Sequence, residues 1–490
     1  MYHGEVDIMY WEWILGVLYV CLIYVWFARR KRSMIKQAPE YRFYIWGLFA
    51  KLVGGVAFCL IYFYYYRGGD TTMYFYSGVA MRNLALQDPL EYLSQMFGDN
   101  SLQAHSVYTM RTGKPFQYMF LDDRTFTVLR ITSLLAMVTF NSYLISTLLM
   151  ASLSFFGVWA CYRTFVSYFP QLAGPLATGF LFMPSSVFWG SAILKDTITF
   201  SAVCWWVHAV DEVFFKRRRV VAKLIVMALS GIFMIAIKPY IFMVLLPATL
   251  AWVMFFRVSA IRSSLIKFVV LPVSLVTVVG GSLFILDRMG DSLGKFALDG
   301  ALESLTVTQK DLSNKEAYSE NSFDVGELDG TWSSVVSKFH VAVNATLFRP
   351  YIWECNNFAM YLSGLENTWV LAMALLALLR AGPRFFLRCI GGVPILLMAA
   401  GFALLFAFVC GISTPNFGAL VRFKIPMVPF FISTMFIIVY LARIKRALKR
   451  RNLRFDLREF RMGTGHVKDI VDAVGQARDR RDSAPAAASA

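Results

Sequence analysis

The chain has 490 residues, of which 58% are hydrophobic and only 16% are charged, and its mean hydropathy is +0.55. This composition excludes a soluble enzyme, because apolar runs of about 17–22 residues between basic clusters are typical of membrane-spanning helices. The formal net charge of +17 does not indicate a nucleic-acid partner, since the basic residues lie in short loops and in the tail, where they act as topology signals. We therefore expect an all-α, polytopic transmembrane bundle that binds no nucleic acid.

The seven cysteines lie in or beside apolar segments without a CxxC spacing, which predicts neither a metal site nor a disulfide framework. The N-terminus has no basic n-region and no small-residue cleavage site, so the first apolar run is expected to remain as an anchor.

The first half of the chain sets the predicted topology. A first span at about Met9–Phe27 is followed by the basic run Arg29–Arg32, which the positive-inside rule places in the cytoplasm, with the N-terminus outside. A second span at about 43–66 returns outward. The segment Phe126–Phe140 is short and carries Arg130, so we interpret it as an interfacial or re-entrant helix. Segments of the same loop, Met73–Leu86 and Leu90–Phe97, are expected to lie flat in the interface.

About eleven spans are predicted in all. After the first two, they lie at about 141–161, 171–188, 197–215, 224–237, 241–256, 268–286, 366–380, 389–411 and 427–442. The predicted regions are an N-terminal anchor span with a cytoplasmic basic loop (1–42), a membrane core (43–286) with a long first outer loop (67–140), an extracytoplasmic polar loop domain (287–345), C-terminal spans (346–442) and a basic cytoplasmic tail (443–490). The tail is expected to be helical near Lys449–Phe460 and disordered at its end.

Most unusual charged residues fall on the outer side of this topology. Asp70 follows Gly68 and Gly69 at the end of an apolar run, where an acid is costly unless it is used or paired. Lys and Arg at span ends can reach a lipid phosphate, carboxylates can act as a base or bind hydroxyls, and aromatic rings can stack on sugars. The candidate residues are Asp70 as the catalytic group and Tyr74, Arg130, Lys195, Asp196, Lys238, Tyr240, Arg349, Glu354 and Arg422 as substrate-binding groups, with Glu366 as a further acid.

Each candidate also has a structural interpretation. Asp70 is equally suited to form a turn or a helix cap, and Lys195 with Asp196 is equally suited to be a self-neutralising pair at a span end. Lys238, Arg349 and Arg422 are placed where long basic side chains extend toward the interface without any catalytic role.

The acid of the first outer loop, with an aromatic residue four positions later (Asp70 and Tyr74), resembles the arrangement in membrane glycosyltransferases of the GT-C type. The layout is also similar to that of O-antigen and exopolysaccharide polymerases. These polymerases use arginines in outer loops, and Arg422 would correspond to one of them. This resemblance implies that Asp70 is the base and that Lys195, Lys238 and Arg349 hold the phosphate of a polyprenyl-linked sugar. A second acid often follows the first in GT-C enzymes. Thr71 occupies that position in this chain, so the resemblance leaves open whether the site binds a divalent cation.

The expected function is therefore sugar transfer, or glycan polymerisation, from a polyprenyl (undecaprenyl) phosphate or diphosphate carrier outside the bacterial inner membrane. The expected partners are membrane lipids, the polyprenyl-linked donor, a glycan acceptor and envelope polysaccharide assembly proteins. Two alternatives remain: a polysaccharide or lipid transporter or flippase, and a non-catalytic envelope assembly subunit. The charges lie at the outer boundary, whereas transporters tend to place broken helices at mid-membrane in paired halves, and this favours the enzyme.

Overall fold

The computed structural model describes residues 7–259 and 328–466, together with isolated residues between these ranges, Phe323 among them. The described part is helical and contains no strand, as the sequence predicts. Nine of its helices are long and apolar enough to cross a membrane. The protein is therefore a multi-pass membrane protein.

The N-terminal part of the chain forms thirteen helices up to residue 259. They are α1 (Tyr10–Met34), α2 (Tyr44–Leu60), α3 (Asp70–Gln87), α4 (Pro89–Phe97), α5 (Leu102–His105), α6 (Gln117–Phe120), α7 (Asp123–Val138), α8 (Tyr143–Tyr168), α9 (Ala173–Leu181), α10 (Pro184–Trp189), α11 (Lys195–Val210), α12 (Val220–Ile237) and α13 (Pro239–Ser259). Helix α2 continues into a π-helical turn at Ile61–Tyr65, and α11 into another at Asp211–Lys216.

The C-terminal part adds seven helices between residues 332 and 450. They are α14 (Trp332–Ser337), α15 (Phe339–Phe348), α16 (Phe358–Ala381), α17 (Pro383–Gly392), α18 (Pro394–Ser413), α19 (Phe417–Phe423) and α20 (Val428–Arg450). A 3-10 segment at Leu457–His466 follows. The nine candidate spans are α1, α2, α8, α11, α12, α13, α16, α18 and α20, some of them extended by adjoining turns.

The predicted span at 171–188 is not one continuous helix. It consists of α9 and α10, separated at Phe182 and Met183, where Met183 is extended (φ −64°, ψ 121°). Pro184 explains the break, because proline disfavours the helical conformation of the residue before it and cannot donate a helical hydrogen bond. Most of the predicted span at 268–286, most of the polar loop domain 287–345 and the end of the tail lie outside the described residues.

The predicted first outer loop (67–140) folds as a small helical layer with its own apolar core. Helix α3 packs along α7 and buries Phe75, Met81 and Leu84. Helix α4 instead exposes a stripe of apolar residues: Leu90, Leu93 and Phe97. This spacing is typical of an amphipathic helix at a surface, and the interfacial position of that segment stays a prediction.

The two ends of the bundle differ in charge. At one end Lys216 donates from Nζ to Ser167 Oγ over 2.8 Å, which joins the ends of α11 and α8 beside the basic run 216–219. At the other end, the hydroxyls of Thr71 and Tyr143 lie 3.0 Å apart, which joins the start of α3 to the start of α8. We call these the basic end and the Asp70 end. Helices α8 and α11 both run from the Asp70 end to the basic end, so α9 and α10 carry the chain back between them.

Candidate functional site

The turn before Asp70 depends on its two glycines. Gly68 and Gly69 have φ angles of 135° and 137°, values that side-chain-bearing residues rarely adopt. A Cβ atom on Gly69 would also lie 2.9 Å from the ring of Tyr62. Gly69 is the N-cap residue, so Asp70 is the first residue of α3 rather than its cap. The carboxylate of Asp70 therefore does not act as the helix cap.

Arg422 connects Asp70 to the membrane core. Its Nη1 donates to Asp70 Oδ2 over 2.8 Å, and its Nε donates to Asp196 Oδ2 over 2.6 Å. Arg422 lies in the last turn of α19, whose N-cap Asn416 accepts a hydrogen bond at Oδ1 from the Ala419 amide over 3.1 Å. One guanidinium therefore holds two carboxylates that come from distant parts of the chain.

Asp196 is the buried centre of this network. Its side chain is 1% exposed, and its Oδ1 accepts a hydrogen bond from Lys238 Nζ over 2.5 Å. Lys238 lies in the tight turn between α12 and α13, with its Nζ 4.3 Å from the ring centroid of Phe423. Since both oxygens of Asp196 are bonded to cations, it anchors Lys238 and Arg422 and is not itself open to a ligand.

The electrostatics keep Arg422 charged. Burial alone would lower its pKa, but the carboxylates of Asp196 and Asp70 raise the pKa of Arg422 above its ordinary value. A buried carboxylate between two cations is stable only when all of its charges and hydrogen bonds are satisfied. Such a network can hold an anion near Asp70, because a guanidinium matches the oxygens of a phosphate.

A second ion pair lies at the same end of the bundle. Lys195 Nζ donates to Asp122 Oδ2 over 3.0 Å, and Asp122 is the N-cap of α7, where it accepts from the Thr125 amide over 3.2 Å. Burial acts to raise the pKa of Asp122, but the hydrogen bond from Thr125 and the charge of Lys195 lower it overall. The sequence did not single out Asp122, because an Asp before an apolar helix is ordinarily only a cap.

Aromatic residues line the network without offering open ring faces. The Arg422 guanidinium carbon lies 6.0 Å from the ring centroid of Trp189. Tyr74 is 4% exposed, and burial raises the pKa of its hydroxyl. Tyr240 is stacked on Phe406 at a centroid distance of 6.1 Å. Tyr74 is therefore buried, and the ring of Tyr240 packs against Phe406.

Three other predicted site residues pair elsewhere. Arg130 donates from Nε to the Gln95 carbonyl over 3.0 Å and so ties α7 to α4. Arg349 Nε donates to Glu354 Oε1 over 2.9 Å, within the same turn of the chain. The structure therefore does not bring Arg130, Arg349 or Glu354 into the network around Asp196.

The further acid, Glu366, holds one end of α10. It accepts at Oε2 from the Ser185 amide over 2.7 Å and at Oε1 from Ser185 Oγ over 2.5 Å. At the other end of α10, the buried Lys51 donates to the Gly190 carbonyl. These charges match the positive and negative ends of the helix dipole. Lys51 was not among the predicted site residues, although a lysine in the middle of an apolar run is a readable signal.

Lys424, two residues after Arg422, is also fully engaged. Its Nζ donates to Asn367 Oδ1 over 2.6 Å and to the Thr346 carbonyl over 3.1 Å. Burial lowers the pKa of Lys424 to about 8. This side chain connects α19 to α15 and α16, so it helps to fix the position of Arg422 in α19.

Among residues 7–259 and 328–466, no group of three or more His, Cys, Asp or Glu side chains is arranged to hold a metal ion. Comparisons of the chain with protein-family models, with curated proteins and with solved structures give no match.

Proposed function

We propose that the protein is a membrane glycosyltransferase or polysaccharide polymerase that takes sugar from a polyprenyl-phosphate or polyprenyl-diphosphate donor at the Asp70 end of the bundle. One observation supports this most: Asp70, Asp196, Lys238 and Arg422, from four separate parts of the chain, form one connected network there. An acid next to fixed cations at a membrane boundary fits both the base and the phosphate-binding groups that such a reaction needs.

In this proposal the Asp70 end faces the outside of the bacterial inner membrane. The basic runs Arg29–Arg32 and Lys216–Arg219 lie toward the opposite end, which the positive-inside rule places in the cytoplasm. The N-terminus is then outside and the C-terminal tail is inside. This orientation gives the site access to exported lipid-linked sugars and to an acceptor glycan.

The proposed reaction is a displacement at the anomeric carbon of the donor sugar. The acceptor hydroxyl oxygen attacks that carbon while its proton passes to the Asp70 carboxylate. The bond between the anomeric carbon and the phosphate oxygen breaks, and the electron pair stays on the phosphate. Arg422 and Lys238, with Lys195 nearby, stabilise the charge that develops on this leaving group.

A transporter or flippase is the second candidate, because one observation favours it. The helix is broken between α9 and α10, and the buried Lys51 of α2 separately donates to the Gly190 carbonyl at the far end of α10. Broken helices and internal charges are both typical of transport pathways. In that case the network around Asp196 would line the outer mouth of the path.

The test is the substitution Asp70→Asn in the producing cell. We expect the extracellular glycan to disappear and its lipid-linked precursor to accumulate, measured by mass spectrometry at matched protein level. The control is Asp99→Asn, which changes the same charge in the same outer loop at a residue whose carboxylate accepts only from Ser101 Oγ, over 3.4 Å. Wild-type glycan from the Asp70→Asn cells would overturn the proposal and leave Asp70 as a turn residue.

A further inference from the structure

The carboxylates around the site belong to two classes that differ in exposure. Asp196 is 1% exposed and lies in the membrane core. Asp70 and Asp122 are 46% and 45% exposed, respectively, and both come from the first outer loop. We call Asp70 and Asp122 the loop carboxylates.

The carboxylates of both classes pair with three core cations: Lys195, Lys238 and Arg422. The three cations carry three positive charges, and Asp196 supplies one buried negative charge. Two positive charges therefore remain at the Asp70 end of the core. The loop carboxylates balance those two charges, Asp70 on Arg422 over 2.8 Å and Asp122 on Lys195 over 3.0 Å. The positive charge that could attract a ligand to the core is therefore neutralised by carboxylates of the protein itself.

The two classes also differ in how easily they can be exchanged. Removing Asp196 from its partners would leave buried cations without a counter-charge, which is strongly unfavourable. A half-exposed ion pair contributes little, because water competes for both partners. The loop carboxylates are thus the groups that an incoming anion can replace, while Asp196 keeps Lys238 and Arg422 in position.

We propose that a ligand head group carrying two negative charges, of the diphosphate class, takes the places of Asp70 on Arg422 and of Asp122 on Lys195. The exchange frees Asp70 from the guanidinium. Since Asp70 Oδ2 is bonded to Arg422 over 2.8 Å until then, this oxygen can accept a hydrogen bond from the acceptor hydroxyl only after the anion is bound. The donor then binds before the acceptor hydroxyl is activated.

This inference rests on the proposed function for its last step, but the exchange itself concerns binding alone. Binding can therefore be measured separately from transfer. The two loop carboxylates act as competitors of the ligand, so removing either charge should tighten anion binding, whereas a carboxylate that contributed directly to a cation-mediated site would weaken it when removed.

The experiment measures the dissociation constants of farnesyl diphosphate and of inorganic diphosphate for the full-length protein in lipid nanodiscs by calorimetry. We expect Asp70→Asn and Asp122→Asn each to bind farnesyl diphosphate about two- to fivefold more tightly than wild type, the range of a half-exposed ion pair. Arg422→Gln should bind it at least about tenfold more weakly, the scale of a charge-assisted hydrogen bond. Asp99→Asn, the matched control, should bind it as wild type does.

Unchanged or weaker binding by both Asn variants would overturn the exchange. If Asp70→Asn abolishes transfer without tightening binding, the exchange fails while the proposed function stands. If it tightens binding and transfer persists, the exchange stands and the base role of Asp70 fails. Equal affinity for farnesyl diphosphate and inorganic diphosphate would overturn a lipid-linked head group as the source of the anion.

Discussion

Asp70 and Asp196 share one guanidinium but differ in what surrounds them. Asp196 is enclosed between two cations, Lys238 and Arg422, and both of its oxygens accept short hydrogen bonds. Asp70 is bonded to Arg422 through one oxygen only and is half-exposed. This difference makes Asp196 a structural centre and leaves Asp70 able to react.

The first prediction follows from that difference. Asp196→Asn should reduce the free energy of unfolding by about 3–5 kcal/mol, because it leaves buried charges unpaired. Asp70→Asn should reduce it by only about 0–1 kcal/mol, the range of an exposed pair. Denaturant unfolding of both variants in the same detergent measures the two values. Equal losses would contradict the separation of roles.

The second prediction concerns pH and Lys424. Its pKa is about 8 when folded and has the ordinary value of 10.5 when unfolded, so between these values the unfolded protein binds more protons. Stability should therefore rise with pH in this window, by up to about 1.4 kcal/mol per pH unit. Below pH 8 both states hold the proton, and the buried charge exerts its full destabilising effect.

The control for this effect is Lys424→Met, which cannot titrate at this position. Unfolding of wild type and variant at pH 7.5, 8.5 and 9.5 should show the wild type gaining stability relative to the variant as pH rises. A stability difference that is the same at all three values would contradict the burial of a charged Lys424.

Among single residues, the turn before Asp70 could be predicted from the sequence, because two glycines after an aromatic run indicate a sharp change of direction. The pairing of Asp196 with Lys238 and Arg422 could not, since a single sequence does not state which helix ends lie side by side. The sequence groups Arg349 with these residues by its position at a span end. Its bond to Glu354, five residues away, is a local pairing that this grouping does not anticipate.

Among the elements, the broken pair α9 and α10 is central to the site. Helix α10 carries Trp189, which lies against Arg422, and the chain then leads to Lys195 and Asp196. Its position depends on a close approach to α2, where a Cβ atom on Gly54 would lie 2.4 Å from the Val187 carbonyl oxygen. The sequence indicated apolar residues at 171–188, but hydropathy alone does not separate one straight span from two short helices.

The third prediction tests this contact. Gly54→Ala should destabilise the protein by more than about 1 kcal/mol, because backbone atoms must shift to relieve the clash. Gly401→Ala in α18 is the control, since a Cβ atom there meets nothing within 4 Å, and alanine should stabilise that helix by about 0.5–1 kcal/mol. Thermal unfolding of both variants gives the comparison. A neutral Gly54→Ala would show that α10 is not seated against α2 at this point.

For the whole molecule, the proposed function depends on which end faces outward. The described residues place the basic runs and the Asp70 network at opposite ends of the bundle. All-helical, multi-pass architecture could be predicted from hydropathy and charge, since both are properties of the segments themselves. The number of spans could not be settled in the same way, because it depends on segments such as 171–188 that bend inside the bundle.

The fourth prediction tests the orientation by cysteine labelling in intact cells. Asp99→Cys, in the loop that carries Asp70, should react with a membrane-impermeant maleimide, whereas Arg218→Cys, in the basic run, should react only after permeabilisation. The exposed native cysteine, Cys21, is replaced by Ser in the background. The reverse pattern would place Asp70 in the cytoplasm and exclude a reaction with exported lipid-linked sugars.

The most direct measurement uses the purified protein in proteoliposomes with a radiolabelled polyprenyl-linked sugar donor and a glycan acceptor. We expect wild type and Asp99→Asn to form glycan and to release the lipid phosphate or diphosphate together. Asp70→Asn should do so about 10²- to 10⁴-fold more slowly, the usual contribution of a general base. Intact donor could instead cross the bilayer without cleavage of its sugar–phosphate bond, and at the same rate in Asp70→Asn. That result would contradict the proposed sugar transfer and identify a transporter.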